Sequence, residues 1–346
     1  MTNYVKTLTV HSGNTGHIQG IAIDKEHKFM YHSFTTTLIK TDMQGNVVGS
    51  VVGLAGHLGC IAFNYDDNKI YGSLEFKHDN IGKGILNRIN RQDNIQDGFY
   101  IVSFDVSKIT KLNMDAEKDG VMKAVYLKDV FYDYTFEGHK YGCSGIDGTT
   151  FAPEFSKLDG KLYLYVAYGI YGDTKRSDND YQVLLKYDVE NLKKYEKPLN
   201  QNDMHKSGPN CPDGKYFVYT GNTTFGIQNL EYDKYTNTIL CAVYKGSKEN
   251  FPNYPMYFID ATTPSTEENL KGMNEKGQVA YLAKIGKLHH SSNIYGCDFP
   301  HGSTGMISLG DGYYYFSEPF NREGGFSSTI NLYKLNKETM NFFKVK

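Results

Sequence analysis

Short apolar runs rich in Val, Ile, Tyr, Phe and Thr recur along the chain and are separated by Gly, Asn and Asp. Runs of this kind, bounded by turn-forming residues, predict β-strands. Stretches with the 3.6-residue period of an amphipathic helix are scarce, and residues 107–120 and 263–277 are the best candidates for helical turns. Both carry the charge of a surface insertion. The pattern therefore predicts a protein built mainly of strands.

The strand signals also repeat as a set. Three phrases follow one another in a constant order, and five such sets can be counted. The first phrase takes the forms HIQGIAID, HLGCIAFN, DGTTFAP, GIQNLEYD and HGSTGMISL. The second takes the forms FMYHSF, KIYGSLEF, KLYLYVAYG, TILCAVYKG and YYYFSEP, and an apolar third strand follows each. Linking segments such as NVVGSVVG, MKAVYLKDV, KYFVYT and QVAYLAKI supply a fourth strand, so the repeat predicts five four-stranded units.

Four-stranded antiparallel units arranged radially around a central channel form a β-propeller, which leaves only short, protected sheet edges. The chain resembles the five-bladed β-propellers, an all-β fold whose families include arabinanase-like glycosidases, calcium-activated nucleotidases and tachylectin-type sugar binders. The resemblance covers residues 1–346, which we expect to form a single domain. It is a resemblance of architecture only, because no motif matches one family residue by residue. Either YVKTLTV (4–10) or MNFFKVK (340–346) can complete the last blade.

The first strand of each propeller blade lines the channel, so residues at equivalent repeat positions face one another around the axis. Aligning the first strands produces a ring of five residues: His17, His57, Asp147, Gly226 and His301. Three imidazoles and a carboxylate on one axis are suited to a divalent metal ion, and we expect His17, His57, His301 and Asp147 as its ligands. The alternative is a polar, water-filled channel in which each histidine hydrogen-bonds a neighbouring loop.

Further polar residues are expected on the same face of the propeller. The candidates for substrate binding are Gln19, His32 and Gln228, and those for catalysis are Glu75, Tyr168, Lys245 and Glu318. Glu75 and Glu318 each lie just past an apolar strand, and two carboxyls in unequal environments are what general acid–base or glycoside chemistry requires. Solvated loop charge is the alternative for any single residue, whereas the set as a whole favours a ligand-binding face.

Three functions compete at this point. The first is a metal-dependent enzyme that acts on a small polar substrate, such as a sugar or uronate, by hydrolysis or elimination. The second is a metal-free, arabinanase-like glycosidase that uses Asp147, Glu75 and Glu318 and leaves the histidines unexplained. The third is a non-catalytic propeller that binds a small ligand, a carbohydrate or a protein. The repetition of histidine in three blades favours a functional site.

Composition narrows the classes of partner. The net charge is -2 over 346 residues and no long basic block occurs, which argues against nucleic acid. No apolar run could span a bilayer and no apolar signal core is visible, so we expect no membrane partner and a cytoplasmic location; a trimmed secretory leader would leave the same sequence. The five cysteines lack metal-ligand spacing, and their odd number fits a reducing compartment.

Overall fold

The apolar runs form β-strands in the computed structural model, which describes residues 4–91 and 95–346. Their β-branched and aromatic side chains suit pleated surfaces that are packed on both faces. Five sheets surround one central channel, and the innermost strands of neighbouring sheets contact each other in a closed ring. The prediction of an all-β, five-bladed propeller is therefore confirmed.

The first two blades are four-stranded antiparallel sheets. Strand β1 (Thr7–Gly13) precedes them along the chain. The first blade consists of β2 (Ile18–Ile23), β3 (Phe29–Phe34), β4 (Thr37–Asp42) and β5 (Val47–Val52). The second blade consists of β6 (His57–Asn64), β7 (Lys69–Phe76), β8 (Gly98–Asp105) and β10 (Met122–Tyr126). Helix α1 (Asn80–Arg88) is inserted between β7 and β8, and the short strand β9 (Met114–Asp115) between β8 and β10. Strand β9 pairs in parallel with β5 and so widens the first blade.

The third blade is the largest, and the fourth is the least regular. Helix α2 (Lys128–Thr135) precedes the third blade, whose elements are β11 (Cys143–Pro153), β12 (Leu162–Ile170), β13 (Tyr181–Tyr187), α3 (Val189–Lys193) and β14 (Gly214–Tyr219). The fourth blade is the three-stranded sheet of β15 (Thr224–Asp233), β16 (Thr238–Tyr244) and β17 (Met256–Asp260). The hairpin of β18 (Thr266–Asn269) and β19 (Lys276–Val279) joins the outer edge of the third blade, because β19 pairs with β14.

The segment QVAYLAKI therefore does not form a regular fourth strand of the fourth blade. Its first residues belong to β19, and isolated bridges, Ile259 to Leu282 and Met256 to Cys297, occupy the edge of that blade. A short hairpin of β20 (Lys287–His289) and β21 (Ile294–Gly296) lies beside it. The fifth blade follows as β22 (Met306–Gly310), β23 (Tyr313–Arg322), β24 (Gly325–Asn336) and β25 (Asn341–Lys344).

Both candidate segments complete the last blade. Strand β1 pairs with one half of β24, where Thr7 lies opposite Asn331. Strand β25 pairs with the other half, where Tyr333 lies opposite Lys344. The two segments thus share one sheet edge, and β1 connects the beginning of the described chain to the fifth blade.

The hydrophobic core consists of layers between neighbouring blades. Within the described residues the buried apolar side chains form five clusters, and each combines residues from two adjacent sheets. Leu8 and Val10 of β1, for example, pack with Ile21 of the first blade and Tyr315 of the fifth. Each blade is therefore stabilised mainly by its two neighbours, through apolar area removed from water.

The helices lie at other positions than the sequence pattern predicts. Residues 107–120 form turns and β9, and residues 263–277 contain the β18–β19 hairpin, so both segments are insertions, as their charge indicates, but neither is helical. Helix α1 lies in a segment for which no helix was predicted, and the carboxylate of Asp79 accepts hydrogen bonds from the backbone N–H groups of Ile81 and Gly82. Its two glycines, poor helix formers, obscured it. None of the described helices has the length and apolar character needed to cross a membrane.

Replacing Leu8 by Ala tests the role of β1 in closing the ring. Leu8 is buried between the fifth and first blades. The change should lower the free energy of unfolding by about 2–5 kcal/mol, the usual cost of a buried Leu→Ala change, as measured by urea denaturation. The exposed Lys6→Ala change is the control and should shift stability by less than about 0.5 kcal/mol. Equal effects of the two changes would contradict a structural role for β1.

Candidate functional site

A cavity of about 500 Å³ opens at one end of the central channel. We call it the channel cavity and define it by His17, Gln19, His57, Glu75, Lys77, Asp147 and Gln228, which line it together with residues of helix α1. These side chains come from four blades. The volume lies within the range of small-molecule sites.

Hydrogen bonds between neighbouring blades, and one across the channel from the fourth blade to the first, lie at the floor of this cavity. The hydroxyl of Ser33 donates to the carbonyl of Gly59 at 2.7 Å, and the hydroxyl of Ser73 donates to the carbonyl of Asp147 at 2.7 Å. The amide of Asn229 donates to the carbonyl of Gln19 at 2.8 Å. Gly59 permits this close approach, because a Cβ atom there would lie 2.3 Å from Oδ1 of Asp147. The polar cavity therefore ends in a tightly packed, hydrogen-bonded layer.

Glu75 and Lys77 form a buried ion pair in the wall. Oε1 of Glu75 lies 2.6 Å from Nζ of Lys77, and both side chains are only 5% exposed. Oε2 of Glu75 accepts the backbone N–H of Ile146 at 3.0 Å, and Lys77 donates to the carbonyl of Ser144 at 2.9 Å. Burial raises the pKa of Glu75, and the charge of Lys77 opposes that rise. Burial alone would lower the pKa of Lys77, but Glu75 outweighs it and raises this pKa.

Asp147 has a different environment. Its Oδ1 accepts the backbone N–H of Cys60 at 3.2 Å, and its carboxyl has no cationic partner within the described residues. Burial raises the pKa of Asp147 well above its usual value, and the nearby charge of Glu75 adds to the rise. Burial therefore favours the protonated form of Asp147, whereas Glu75 is held next to a cation.

Burial favours the neutral form of the two histidines that line the cavity. Burial, with the nearby charges of Lys77 and His17, lowers the pKa of His57 to about 3. Within the described residues its Nδ1 has no hydrogen-bond partner, and it lies 3.8 Å from Oε1 of Glu75. Nε2 of His17 lies 3.1 Å from the amide nitrogen of Gln19. Burial and Arg88 lower the pKa of His17.

Helix α1 forms one wall of the channel cavity. Ile81, Ile85 and Arg88 of this helix line the cavity. A Cβ atom at Gly82 would lie 1.7 Å from the carbonyl oxygen of Lys77, so glycine is required for the helix to approach the ion pair this closely. Helix α1 thus places the apolar side chains of Ile81 and Ile85 beside the polar residues of the channel cavity and reduces the access of water to those residues.

A second depression of about 640 Å³ lies between the fourth and fifth blades. We call it the interblade groove and define it by Tyr244, Lys245, Asp298, His301, Phe320 and Phe326. His17 and Tyr244 line both the groove and the channel cavity. The two spaces are therefore adjacent and share a wall.

The structure brings most of the sequence-predicted residues to these two spaces. His17, Gln19, His57, Glu75, Asp147 and Gln228 line the channel cavity. Lys245 and His301 line the interblade groove. The ring derived from the repeat is therefore split, with His301 in the groove. Within residues 4–91 and 95–346, no group of three or more His, Cys, Asp or Glu side chains is arranged to hold a metal ion.

Three predicted residues lie in neither space. His32 is fully buried in the first blade, where its Nε2 lies 3.0 Å from the hydroxyl of Thr41. The hydroxyl of Tyr168 donates to Asp133 at 2.8 Å, on the side of β12 that faces α2. Burial alone would raise the pKa of Glu318, but hydrogen bonds from Tyr333 and Asn331 outweigh it and lower this pKa. For these three residues the structure gives internal partners in place of the expected ligand contacts.

Sequence reasoning missed Lys77, Arg88 and the helix that carries Arg88. Lys77 follows Glu75 by two residues, so both point to the same side of an extended segment. A carboxylate and an amine two residues apart at the end of an apolar strand could therefore have indicated an ion pair in the site. Arg88 gave no comparable signal, because its position depends on the path of the inserted helix across the channel mouth.

No protein-family model matches the chain, and no curated protein matches it. Solved structures resemble it at low sequence identity. A GH43 β-1,3-galactosidase with galactodeoxynojirimycin is 10% identical at a TM-score of 0.44, with 95% of this chain and 93% of that one covered. The soluble aldose sugar dehydrogenase from Escherichia coli is 10% identical at a TM-score of 0.40, with 98% and 88% covered. A functionally unknown protein from Desulfotomaculum acetoxidans is 12% identical at 0.38, with 95% and 69% covered. These values assign neither a family nor an activity.

Replacing Lys77 by Met tests the buried ion pair. The change leaves Glu75 buried without its cation, and removing one partner of such a pair costs roughly 3–5 kcal/mol of unfolding free energy. The loss should be largest at alkaline pH and smaller at acid pH, where Glu75 can take up a proton. Urea denaturation at several pH values measures it. Lys83→Met, an exposed change on the same insertion, is the control and should have little effect at any pH.

Proposed function

We propose that this propeller is a hydrolase that cleaves a glycosidic bond in a small polar carbohydrate bound in the channel cavity. One observation supports this most directly. Two carboxyl groups line the same cavity in unequal environments: burial raises the pKa of Asp147, and Glu75 lies beside the ammonium of Lys77. Pairs of carboxyls with separated pKa values are the arrangement that glycoside hydrolysis uses.

In this proposal Asp147 is the general acid and Glu75 is the general base. Asp147 gives its proton to the glycosidic oxygen as the bond from that oxygen to the anomeric carbon breaks. A water molecule attacks the anomeric carbon, and its proton passes to Glu75. The sugar hydroxyl and the alcohol are released, and the proton gained by Glu75 returns to Asp147 through solvent, so the cycle is balanced.

The neutral groups of the cavity would bind the substrate. The side chains of Gln19, Gln228 and His57 line a space of sugar size. Amide and imidazole groups can each donate to or accept from a hydroxyl. Ile81 and Ile85 of α1 would cover the apolar face of the ring and limit water to the attacking molecule.

The same lining also fits a binding propeller without turnover, and the divalent metal ion remains a separate prediction. For a metal, His17 and His57 would be ligands in the channel cavity, with Asp147 or Gln228 completing the shell. Metal analysis of protein purified without added metal, followed by activity measurements with a chelator, distinguishes this alternative. Activity that depends on one bound metal ion would overturn the proposal that Asp147 is the general acid.

Replacing Asp147 by Asn tests the assignment of the general acid. The rate on unactivated oligosaccharides should fall by about 10²–10⁴-fold, the usual contribution of general acid catalysis. Aryl glycosides with acidic leaving groups should be much less affected, because they leave without protonation. The measurement is kcat/KM for both substrate types, and Lys83→Met is the matched surface control. Equal loss on both substrate types would contradict this role, and absence of turnover by the wild type on every glycoside tested would favour a binding propeller.

The raised pKa of Asp147 also predicts how the stability difference between the wild type and the Asp147→Asn variant depends on pH. Above the unfolded-state pKa of Asp, near ~3.9, the unfolded chain releases a proton that folded Asp147 retains because its pKa is raised. This lowers the free energy of unfolding of the wild type by up to about 1.4 kcal/mol per pH unit, until the pH reaches the folded-state pKa. An asparagine side chain does not ionise, so the Asp147→Asn variant should gain stability relative to the wild type as pH rises through this window. Urea denaturation of both proteins measures the difference, and a pH-independent difference would reject the raised pKa.

A further inference from the structure

The interblade groove extends the channel cavity sideways. His17 and Tyr244 belong to the walls of both, so a ligand chain can pass from one to the other without crossing a blade. Each space is large enough for a separate small-molecule unit. The geometry therefore favours a ligand longer than the unit that occupies the channel cavity.

The groove also has two basic groups that the fold leaves available. Lys245 is 60% exposed, and its nearest carboxylate, Asp298, lies 3.7 Å away. Asp298 has a closer partner in Lys287 at 2.7 Å, which lowers the pKa of Asp298. Asp298 therefore interacts with two lysines, and Lys287 is the closer of them. Lys245 is the more distant partner, so its exposed ammonium can also contact an anion in the groove.

His301 is the second of these groups. Its ring packs against Phe299 and Tyr333, and within the described residues its nitrogens have no hydrogen-bond partner. Glu318, which interacts electrostatically with His301, already accepts hydrogen bonds from Asn331 and Tyr333. An imidazole in this setting can donate to a ligand oxygen in the groove.

The remaining walls suit a sugar ring that carries a negative charge. Phe320 is 39% exposed, and Phe326 lies under the guanidinium of Arg88 at 5.4 Å. Arg88 also lines the channel cavity, so a guanidinium group lies near the junction of the two spaces. Aromatic faces cover the apolar side of a ring, while guanidinium and ammonium groups bind carboxylates.

We propose that the substrate is an acidic oligosaccharide of at least two units. The reacting unit occupies the channel cavity, and a neighbouring unit that carries a carboxylate lies in the interblade groove against Lys245 and His301. This inference rests on the proposed function for the identity of the reacting unit. The carboxylate-binding groove itself does not depend on the reaction.

Calorimetric binding to the Asp147→Asn variant tests the inference without turnover. The probes are uronic acid di- and trisaccharides built from galacturonate, glucuronate, mannuronate and guluronate, each compared with its monosaccharide and with the neutral oligosaccharide of the same linkage. We expect an acidic oligosaccharide to bind at least about tenfold more tightly than both. Adding Lys245→Met should remove about tenfold or more of this affinity, as expected for a charged hydrogen bond. Lys284→Met, an exposed change outside both spaces, is the matched control and should have no effect.

The outcomes separate this inference from the proposed function. Selective, Lys245-dependent binding supports the groove even if the wild type cleaves none of these sugars, in which case the hydrolase proposal alone fails. Asp147-dependent cleavage of neutral glycosides with no preference for acidic ones overturns the groove inference alone. Equal binding of monosaccharides and oligosaccharides, equal effects of Lys245→Met and Lys284→Met, or binding of none of the acidic probes would each overturn it.

Discussion

The closed ring of sheets is the constraint on which the rest of this structure depends. Each blade buries both faces against its neighbours, and the five apolar clusters all lie between blades. Opening the ring at any point would expose two such faces at once. The pairing of β1 with β24 closes the ring between the fifth and first blades, where Leu8 and Val10 enter the shared cluster.

The chemistry of the channel cavity is a consequence of the same closure. The second and third blades approach closely enough for Ser73 to reach the backbone of Asp147, and the same approach brings Glu75 and Asp147 into one desolvated space. Lys77 forms a direct ion pair with Glu75 and acts on Asp147 only as a nearby charge, and this asymmetry separates the two carboxyls. The proposed division into acid and base follows from where one lysine is placed.

Much of the fold could be predicted from the sequence, because the repeat fixes blade number, strand order and which residues face the axis. His17, His57 and Asp147 reached the channel cavity for that reason. The repeat carries no information about inserted segments, so α1 and Arg88 were missed. The repeat also does not show which face of each blade's second strand points toward the ligand-binding side. His32 and Tyr168 lie on such strands, and both have partners inside the protein. The three-stranded fourth blade deviates because its expected outer strand pairs with the third blade.

The ring closure also has a kinetic consequence. Thr7 and Asn331, which are opposite each other in the β1–β24 ladder, are 324 residues apart along the chain. Contacts of such large sequence separation require a long loop to close and form slowly. Until the fifth blade exists, β1 and the outer face of the first blade have no partner, and an unpaired strand edge is a template for intermolecular pairing. Folding intermediates of this protein are therefore expected to aggregate through the first blade, at the place where the native ring is sealed.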